Sequence, residues 1–398
     1  MKLPDALWRH RAGMDRLLAA LDAGGGATRF VGGCVRDTMF GLEVSDVDLA
    51  TTIAPDAVMR RLEAARIKAV PTGLAHGTVT AVVGGAPVEV TTLRRDVSTD
   101  GRRATIAYTE DWREDAARRD FTINALSADP ASGALFDYFG GLADLEAGIV
   151  RFIGDALQRI AEDHLRILRF FRFHARFGRD APDAEALEAC AARANDLMTL
   201  SRERIADELL KLLGLPDPAA TVALMIEHGI LRPVLPEIGG ADRLAALVEA
   251  ECRAGMAPEP LRRLAALLPA DPEVAGDVAA RLRLSKRAAR RLVSAAQPGG
   301  KDAPEALAYR IGTDEAVDRL LLAGESGPRL AALEGWRRPR LPIGGGDLIA
   351  MGLGAGPAVA ATLQAIEEEW MGAGFPEDVE AVRAIARQKV DQALRSSQ

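Results

Sequence analysis

Residues 30–51 read Phe-Val-Gly-Gly-Cys-Val-Arg-Asp-Thr-Met-Phe-Gly-Leu-Glu-Val-Ser-Asp-Val-Asp-Leu-Ala-Thr. A glycine pair and Arg36 precede two carboxylates, Asp46 and Asp48. Residues two apart on a strand point to the same side, so these two carboxylates project together. Such a pair suits Mg²⁺ shared with substrate phosphates, and a glycine turn beside an arginine suits a triphosphate. The alternative is a solvated Asp-x-Asp at the end of a strand.

Length and composition limit the possible classes of protein. A chain of 398 residues is too long for one core and should divide into two to four domains. A net charge of −7 argues against indiscriminate binding of nucleic acid. No apolar run approaches the ~18 residues of a membrane helix, and the first residues lack an apolar signal region. We therefore expect a cytoplasmic protein.

The predicted elements change character along the chain. Short β-branched runs bounded by turns predict strands, and amphipathic segments predict helices. The strands are predicted at 28–31, 47–51, 78–83 and 88–93, and the first helices at 13–22 and 55–65. Residues 94–112 lose periodicity and gain charge, which predicts a mobile loop. From residue 155 onward we expect helices alone.

A second polar cluster, Arg118-Arg119-Asp120-Phe121-Thr122-Ile123-Asn124-Ala125, follows that loop. Its arginines, acid, hydroxyl and amide can address phosphate and sugar oxygens together. The structural alternative is a helix with surface ion pairs and Phe121 in the core.

A third cluster is Glu162-Asp163-His164-Leu165-Arg166, followed by Arg169 and Arg172. On one continuous helix, Asp163, Arg166 and Arg169 would share a face. The structural alternative is an exposed i,i+3 ion pair. In the functional alternative, Asp163 accepts from the amino group of cytosine or adenine, and Arg166 donates to the adjacent ring nitrogen. Uracil and guanine would turn a carbonyl oxygen toward Asp163, so the pair would select C and A.

Taken in order, these motifs resemble those of the class II tRNA nucleotidyltransferases, or CCA-adding enzymes. These are relatives of bacterial poly(A) polymerases within the polymerase β superfamily. The glycine pair with Asp46 and Asp48 is similar to the catalytic motif, residues 118–125 to the ribose-recognising motif, and residues 162–166 to the template for the incoming base. Residues 201–205 and 281–291 resemble segments of the family's neck and body.

The resemblance implies a role for each matching residue. Asp46 and Asp48 would hold two Mg²⁺ ions, with Glu89 as a candidate third catalytic carboxylate whose structural role is the alternative. Asp163 and Arg166 would read the base. The phosphates would be bound by Gly33, Arg36, Arg119, Arg169 and Arg172.

The resemblance also implies an α+β fold. A polymerase β-like nucleotidyltransferase head with a small mixed sheet would occupy residues 1–140. All-α domains would follow: a neck with the base-reading helix at 141–214, a body at 215–300 and a tRNA-binding tail at 301–398.

The implied activity is template-independent addition of C, C and A to tRNA 3′ ends from CTP and ATP, with release of pyrophosphate. The helical domains would contact the acceptor and T arms. A poly(A) polymerase and a specialist that adds only CC or only A are alternatives within the family. A small-molecule nucleotidyltransferase and a non-catalytic RNA-binding module are more distant alternatives.

Overall fold

The computed structural model describes residues 1–100, 103–297 and 302–396. The chain divides into two compact units, Met1–Pro236 and Glu237–Gln398. The finer division into head, neck, body and tail stays a prediction. Within the described residues, no helix is long and apolar enough to cross a membrane.

The first unit is built on a mixed sheet. Seven strands are hydrogen-bonded in the order β3-β4-β5-β2-β1-β8-β9 among the described residues. Strands β2 and β5 run parallel, whereas the other neighbours are antiparallel. The strand bounds are β1 Thr28–Val31, β2 Val47–Thr51, β3 Lys68–Gly73, β4 Thr78–Val83, β5 Ala86–Thr92, β8 Ser127–Ala128 and β9 Leu135–Phe136.

The predictions for this sheet are largely confirmed. The predicted bounds of β1, β2 and β4 coincide with the observed ones, and β5 is displaced by one or two residues. Strand β3 was not predicted from the sequence. Most of its side chains are exposed, so its sequence lacks the alternation of apolar and polar residues that indicates a strand. Strands β8 and β9 have two residues each, too few to show a period.

The segment predicted to be a mobile loop, residues 94–112, contains two strands in its described part, and its mobility stays a prediction. Strands β6 (Arg94–Asp100) and β7 (Arg103–Tyr108) form an antiparallel two-stranded ribbon. Residues 101 and 102 lie outside the described residues. Backbone hydrogen bonds hold the two strands together. Their sequence lacks the regular alternation of apolar and polar residues that predicts a strand.

Helices complete the first unit. Those in the first 150 residues are α1 Met14–Ala20, α2 Gly33–Met39, α3 Pro55–Ala64, α4 Trp112–Ala117 and α5 Gly141–Ala147. They are followed by α6 Ala156–Glu162, α7 Arg166–Phe177, α8 Ala184–Ala192, α9 Arg202–Leu213 and α10 Ala219–Glu227.

The second unit is helical throughout its described part, as predicted for the region after residue 155. Its first helices are α11 Asp242–Arg253, α12 Pro260–Leu267, α13 Pro272–Arg281, α14 Lys286–Ala295 and α15 Pro304–Ile311. The remaining helices are α16 Thr313–Leu322, α17 Pro328–Ala331, α18 Gly345–Ala350, α19 Pro357–Gly372 and α20 Val379–Ser396.

A buried ion cluster joins four helices of the second unit. Glu251 on α11 accepts from Arg262 at 2.7 Å and from Arg263 at 2.8 Å, both on α12. Asp318 on α16 accepts from Arg262 at 3.1 Å and from Arg291 on α14 at 2.6 Å. Glu251, Arg262, Arg263 and Asp318 are each 2% exposed or less. The carboxylates thus offset charges that would be costly to bury alone.

We expect Glu251→Gln to lower the free energy of unfolding by about 3–5 kcal/mol, because it removes the buried carboxylate that Arg262 and Arg263 share. The matched control Glu380→Gln removes an acid from an exposed pair with Arg383 and should cost less than about 1 kcal/mol. Urea unfolding followed by circular dichroism measures both. Equal destabilisation of the two variants would contradict a structural role for the buried cluster.

Candidate active site

Three carboxylates lie around the parallel pairing of β2 with β5. Asp48 stands on β2, Asp46 directly precedes that strand, and Glu89 is the register partner of Asp48 on β5. Alternation along β2 sends Val47 and Leu49 into the core. Residues two apart share a face of a strand, as do register partners, so the acids share the opposite face. Asp48 is partly buried, whereas Asp46 and Glu89 are exposed.

The environment of Asp48 disfavours its charged form. Burial raises the pKa of Asp48 to about 6, and the negative charges of Glu89 and Asp46 add to this effect against the opposing charge of Arg119. Like charges held close together favour a bound cation or a shared proton. The donor set is thus one that a divalent ion would stabilise.

The residues fit a magnesium ion that is completed by substrate. Within the described residues, no group of three or more His, Cys, Asp or Glu side chains is arranged to hold a metal. Mg²⁺ is usually held by one or two carboxylates together with substrate phosphates and water. Asp46 and Asp48 supply carboxylates of that kind, and their assignment as metal ligands stays a prediction.

The glycine turn lies directly before α2 and is closely packed. Gly32 has φ of +67°, a left-handed conformation that favours glycine. A Cβ atom there would lie 2.8 Å from the Arg119 guanidinium. Arg36 is buried one turn into α2, where it donates to Asp37 at 2.7 Å and to the side-chain oxygen of Asn124. Arg36 therefore lines the site, but its guanidinium already donates hydrogen bonds to Asp37 and Asn124.

The second cluster agrees with its structural alternative only in part. Phe121 is fully buried, but α4 ends at Ala117, and the acid that pairs with Arg118 at 2.9 Å, Asp115, is buried. Arg119 makes longer contacts, 3.3 Å to the Asn124 carbonyl and 3.4 Å to Asp115. Its weaker contacts leave Arg119 better able than Arg36 to turn toward an anionic ligand.

The prediction that Asp163, Arg166 and Arg169 lie on one continuous helix is wrong. Helix α6 ends at Glu162, Asp163 is extended, and α7 begins at Arg166. The Asp163 carboxylate accepts from the backbone N–H of Leu165 at 3.1 Å. Aspartate side chains compete in this way with helical hydrogen bonds, and they cap the start of the next helix.

Asp163 and Arg166 are each held by other groups. One nitrogen of Arg204, on α9, donates to both Asp163 oxygens at 3.0 and 2.7 Å. Arg166 donates to Glu162 at 2.6 Å and to the Arg118 carbonyl at 3.2 Å. The exposed i,i+3 pair of the structural alternative is thus not the arrangement observed.

Arg169 and Arg172 on α7 are anchored by buried acids. Arg169 donates to Asp120 at 2.8 Å, and Arg172 donates to Glu208 on α9 at 2.6 Å. Burial raises the pKa of Asp120, but Arg169 and a hydrogen bond from Asn124 outweigh it and hold that pKa below its usual value. Asp120 therefore stays ionised and fixes Arg169.

A cleft of about 430 Å³ brings most of these groups together. It contains every predicted nucleotide-binding residue and Asp48, but Asp46 and Glu89 do not line it in the described part of the chain. The guanidinium groups of Arg36, Arg169 and Arg172 lie 4.5–5.3 Å from the Phe173 ring. The lining residues are Gly32, Gly33, Arg36, Asp48, Arg119, Asp120, Asn124, Asp163, Arg166, Arg169, Arg172 and Phe173.

Sequence reasoning missed the groups that orient the cleft. Asp120 and Asn124 belong to the second polar cluster, residues 118–125. Their partners, Arg169 and Arg36, are distant in the chain. Glu208 and Arg204 carried no signal for their roles, because their partners are about 40 positions away. Such pairings need the tertiary fold.

The chain is similar to known proteins over most of its length. A family model described as the poly A polymerase head domain matches residues 28–151. A second model, described as the probable RNA and SrmB-binding site of polymerase A, matches residues 181–240. The mitochondrial CCA tRNA nucleotidyltransferase 1 of Mus musculus is 35% identical over 370 residues, covering 87% of this chain and 83% of the relative. A CCA-adding enzyme of Oceanobacillus iheyensis is 41% identical over 49% of this chain and 48% of the relative.

A solved structure supports the same relationship. The Bacillus stearothermophilus CCA-adding enzyme, solved in complex with CTP, superposes with a TM-score of 0.75 at 26% identity. The match covers 96% of this chain and 98% of that one. Both units of the present chain therefore have counterparts in that fold.

We expect Asp48→Asn to stabilise the metal-free protein above pH 6. Between its ordinary pKa of about 4 and about 6, the folded state holds more protons on Asp48 than the unfolded state does. The free energy of unfolding therefore falls as the pH rises through that window. Asp48→Asn does not undergo this decrease. Its free energy of unfolding should therefore exceed that of wild type by about 1–3 kcal/mol above pH 6, and the difference should be absent below about pH 4.

Urea unfolding in EDTA across that pH range measures the difference. The control Asp207→Asn alters an exposed acid paired with Lys211 and should show no comparable trend. An advantage of Asp48→Asn that did not change with pH would contradict the raised pKa.

Proposed function

The chain belongs to the CCA-adding tRNA nucleotidyltransferases, and we propose that it adds C, C and A to the 3′ end of tRNA with the residues of the cleft around Asp48. The activity consumes CTP and ATP and releases pyrophosphate. The observation that carries the assignment of residues is that a single cleft contains the Asp48 carboxylate, four arginines and the Asp163/Arg166 pair.

The carboxylates around Asp48 provide the catalytic end of the cleft. Asp46 and Asp48 would hold Mg²⁺, and Glu89 supports the negative field beside them. Bound there, Mg²⁺ supplies a Lewis acid that activates the tRNA 3′-hydroxyl and neutralises the triphosphate. The raised pKa of Asp48 means that ion binding and loss of its proton are coupled.

The arginines orient the triphosphate. Arg119 is the most weakly held of the arginines described above and lies close to Gly32, so it can donate to a phosphate beside the glycine turn. Arg169 and Arg172 are fixed by Asp120 and Glu208 before any ligand arrives. Fixed donors lose little side-chain entropy when they bind, which favours one pose of the nucleotide.

Asp163 and Arg166 choose the base. Arg204 fixes the orientation of the Asp163 carboxylate through two hydrogen bonds. A carboxylate with about four lone-pair sites can still accept from a base amino group. Arg166 retains donors for the neighbouring ring nitrogen. Cytosine and adenine satisfy both groups, whereas uracil and guanine leave Asp163 facing a carbonyl oxygen.

The location of the protein is a separate proposal. The sequence predicts a cytoplasmic protein, whereas the mouse relative is mitochondrial by name. The cytoplasmic location stays a prediction, which fractionation of the native host cell can test.

We expect the protein with Mg²⁺ to add two C residues and then one A to tRNA that lacks its 3′ end. With CTP alone, addition should stop after the second C. With ATP alone, A should be added only to tRNA that already ends in CC. Asp48→Ala should lower incorporation by about 10²-fold or more while tRNA binding persists, and Asp56→Ala, an exposed acid on α3, should have little effect.

Long A tails on unstructured RNA would instead identify a poly(A) polymerase, and arrest after CC would identify a CC-adding specialist. Incorporation only onto tRNA that already ends in CC would identify an A-adding specialist. Full activity of Asp48→Ala would contradict the assigned carboxylate.

We expect Asp163→Asn to weaken selection of the base. The amide presents a donor where the carboxylate presented an acceptor, so kcat/KM for CTP and ATP should fall about 10- to 100-fold. Use of UTP relative to CTP should rise. Single-nucleotide incorporation kinetics measure both, with Asp207→Asn as the matched control on the same unit. Unchanged relative use of UTP would exclude Asp163 as the base reader.

A further inference from the structure

We propose that a pocket in the second unit binds an unpaired nucleotide of the RNA substrate, a role that rests on the proposed function. The pocket has a volume of about 650 Å³ and lies between residues 336–342 and the end of α19. It belongs wholly to the second unit and shares no residue with the cleft around Asp48. The residues that carry the proposal are Trp336, Arg337, Arg340, Trp370, Phe375 and Glu377.

Aromatic rings form one side of the pocket. Phe375 lies 6.1 Å from Trp336 and 5.0 Å from Trp370, measured between ring centroids. Trp370 is buried and donates to the Pro376 carbonyl at 3.0 Å, so it is a fixed support. Trp336 and Phe375 are partly exposed. Partly exposed rings on a buried aromatic base can stack with a nucleobase, because every base has a π face.

The backbone holds Phe375 in an unusual conformation. Its φ is +59°, which is an outlier for a bulky residue and costs free energy. Its N–H donates to the Trp370 carbonyl at 3.0 Å, and its ring packs 5.3 Å from Tyr309. These contacts hold the ring in the pocket wall despite the unfavourable backbone.

Arginines supply the charge that a nucleotide phosphate needs. Residues 336–340 read Trp-Arg-Arg-Pro-Arg, three cations without an acid. Arg338 lies over the Tyr309 ring at 4.4 Å. Arg337 and Arg340 are exposed, and neither forms an ion pair with any residue that the structure describes. Arginine beside aromatic rings is the combination that binds single-stranded RNA.

The pocket suits a nucleotide better than an apolar ligand. Its volume lies within the roughly 300–1,000 Å³ of small-ligand sites. The Glu377 and Glu305 carboxylates, which also line it, can accept from a base amino group. An aromatic groove could also take a proline-rich peptide, but such a peptide has no phosphate to match Arg337 and Arg340.

The charge test uses the double variant Arg337→Glu/Arg340→Glu. The control, Arg383→Glu/Arg387→Glu, makes the same change of charge on two exposed residues of α20. We expect the first variant to raise KM for tRNA about 10-fold while kcat at saturating tRNA is retained. The slope of log Kd against log salt concentration should fall by about two, since two phosphate contacts are lost. The control should change neither quantity comparably.

The stacking test uses Trp336. Trp336→Leu keeps an apolar side chain against the core and should weaken RNA binding about 10-fold, whereas Trp336→Phe keeps a ring and should bind within a few-fold of wild type. RNA should quench wild-type tryptophan fluorescence more than that of Trp336→Phe. Circular dichroism verifies that each variant is folded.

Two results would overturn the pocket assignment. The first is that Arg337→Glu/Arg340→Glu binds RNA as tightly as its control does. The second is that a proline-rich peptide quenches Trp336 fluorescence and RNA does not. If wild-type protein adds C, C and A while either result is found, the pocket assignment fails and the proposed activity stands. If the variants weaken RNA binding but wild-type protein incorporates no nucleotide, the activity fails and the pocket stands.

Discussion

Partial burial of the Asp48 carboxylate beside two other acids is the constraint on which the site depends. The parallel pairing of β2 with β5 fixes Asp48 beside Glu89, and Asp46 stands two residues away. Partial burial raises the pKa of Asp48 to about 6. Ionised Asp48 therefore lowers the free energy of unfolding when no cation is present. A bound cation or a proton relieves this cost, which agrees with the proposed role of Asp46 and Asp48 as magnesium ligands.

The arginines of the cleft show how the same fold manages positive charge. Arg36, Arg169 and Arg172 are each bonded to an acid at 2.6–2.8 Å. These acids come from α2, the segment after α4, and α9, so three parts of the first unit converge on the arginines. A ligand therefore meets donors whose orientation is already set, and the orienting acids prevent the cations from repelling one another.

Arg204 gives Asp163 a comparable support. Because Asp163 interrupts the path from α6 to α7, its side chain is free of the helix and can be fixed from α9. The acid accepts from the Leu165 N–H in the turn before α7 and lines the cleft at the same time. The break between two helices thus leaves the Asp163 carboxylate held by Arg204 at the cleft, where we propose that it reads the base.

The sequence by itself determined the chemistry of the site and much of the first sheet. The Asp-x-Asp spacing, the glycine pair and the runs at β1, β2 and β4 are local patterns, and local patterns follow from backbone geometry. The order of the motifs was enough to indicate the family. Tertiary structure alone decided the partners: Glu89 beside Asp48, Glu208 beneath Arg172, and Arg204 on Asp163. Each of these contacts joins residues about 40 positions apart, and no local period encodes a distance in space.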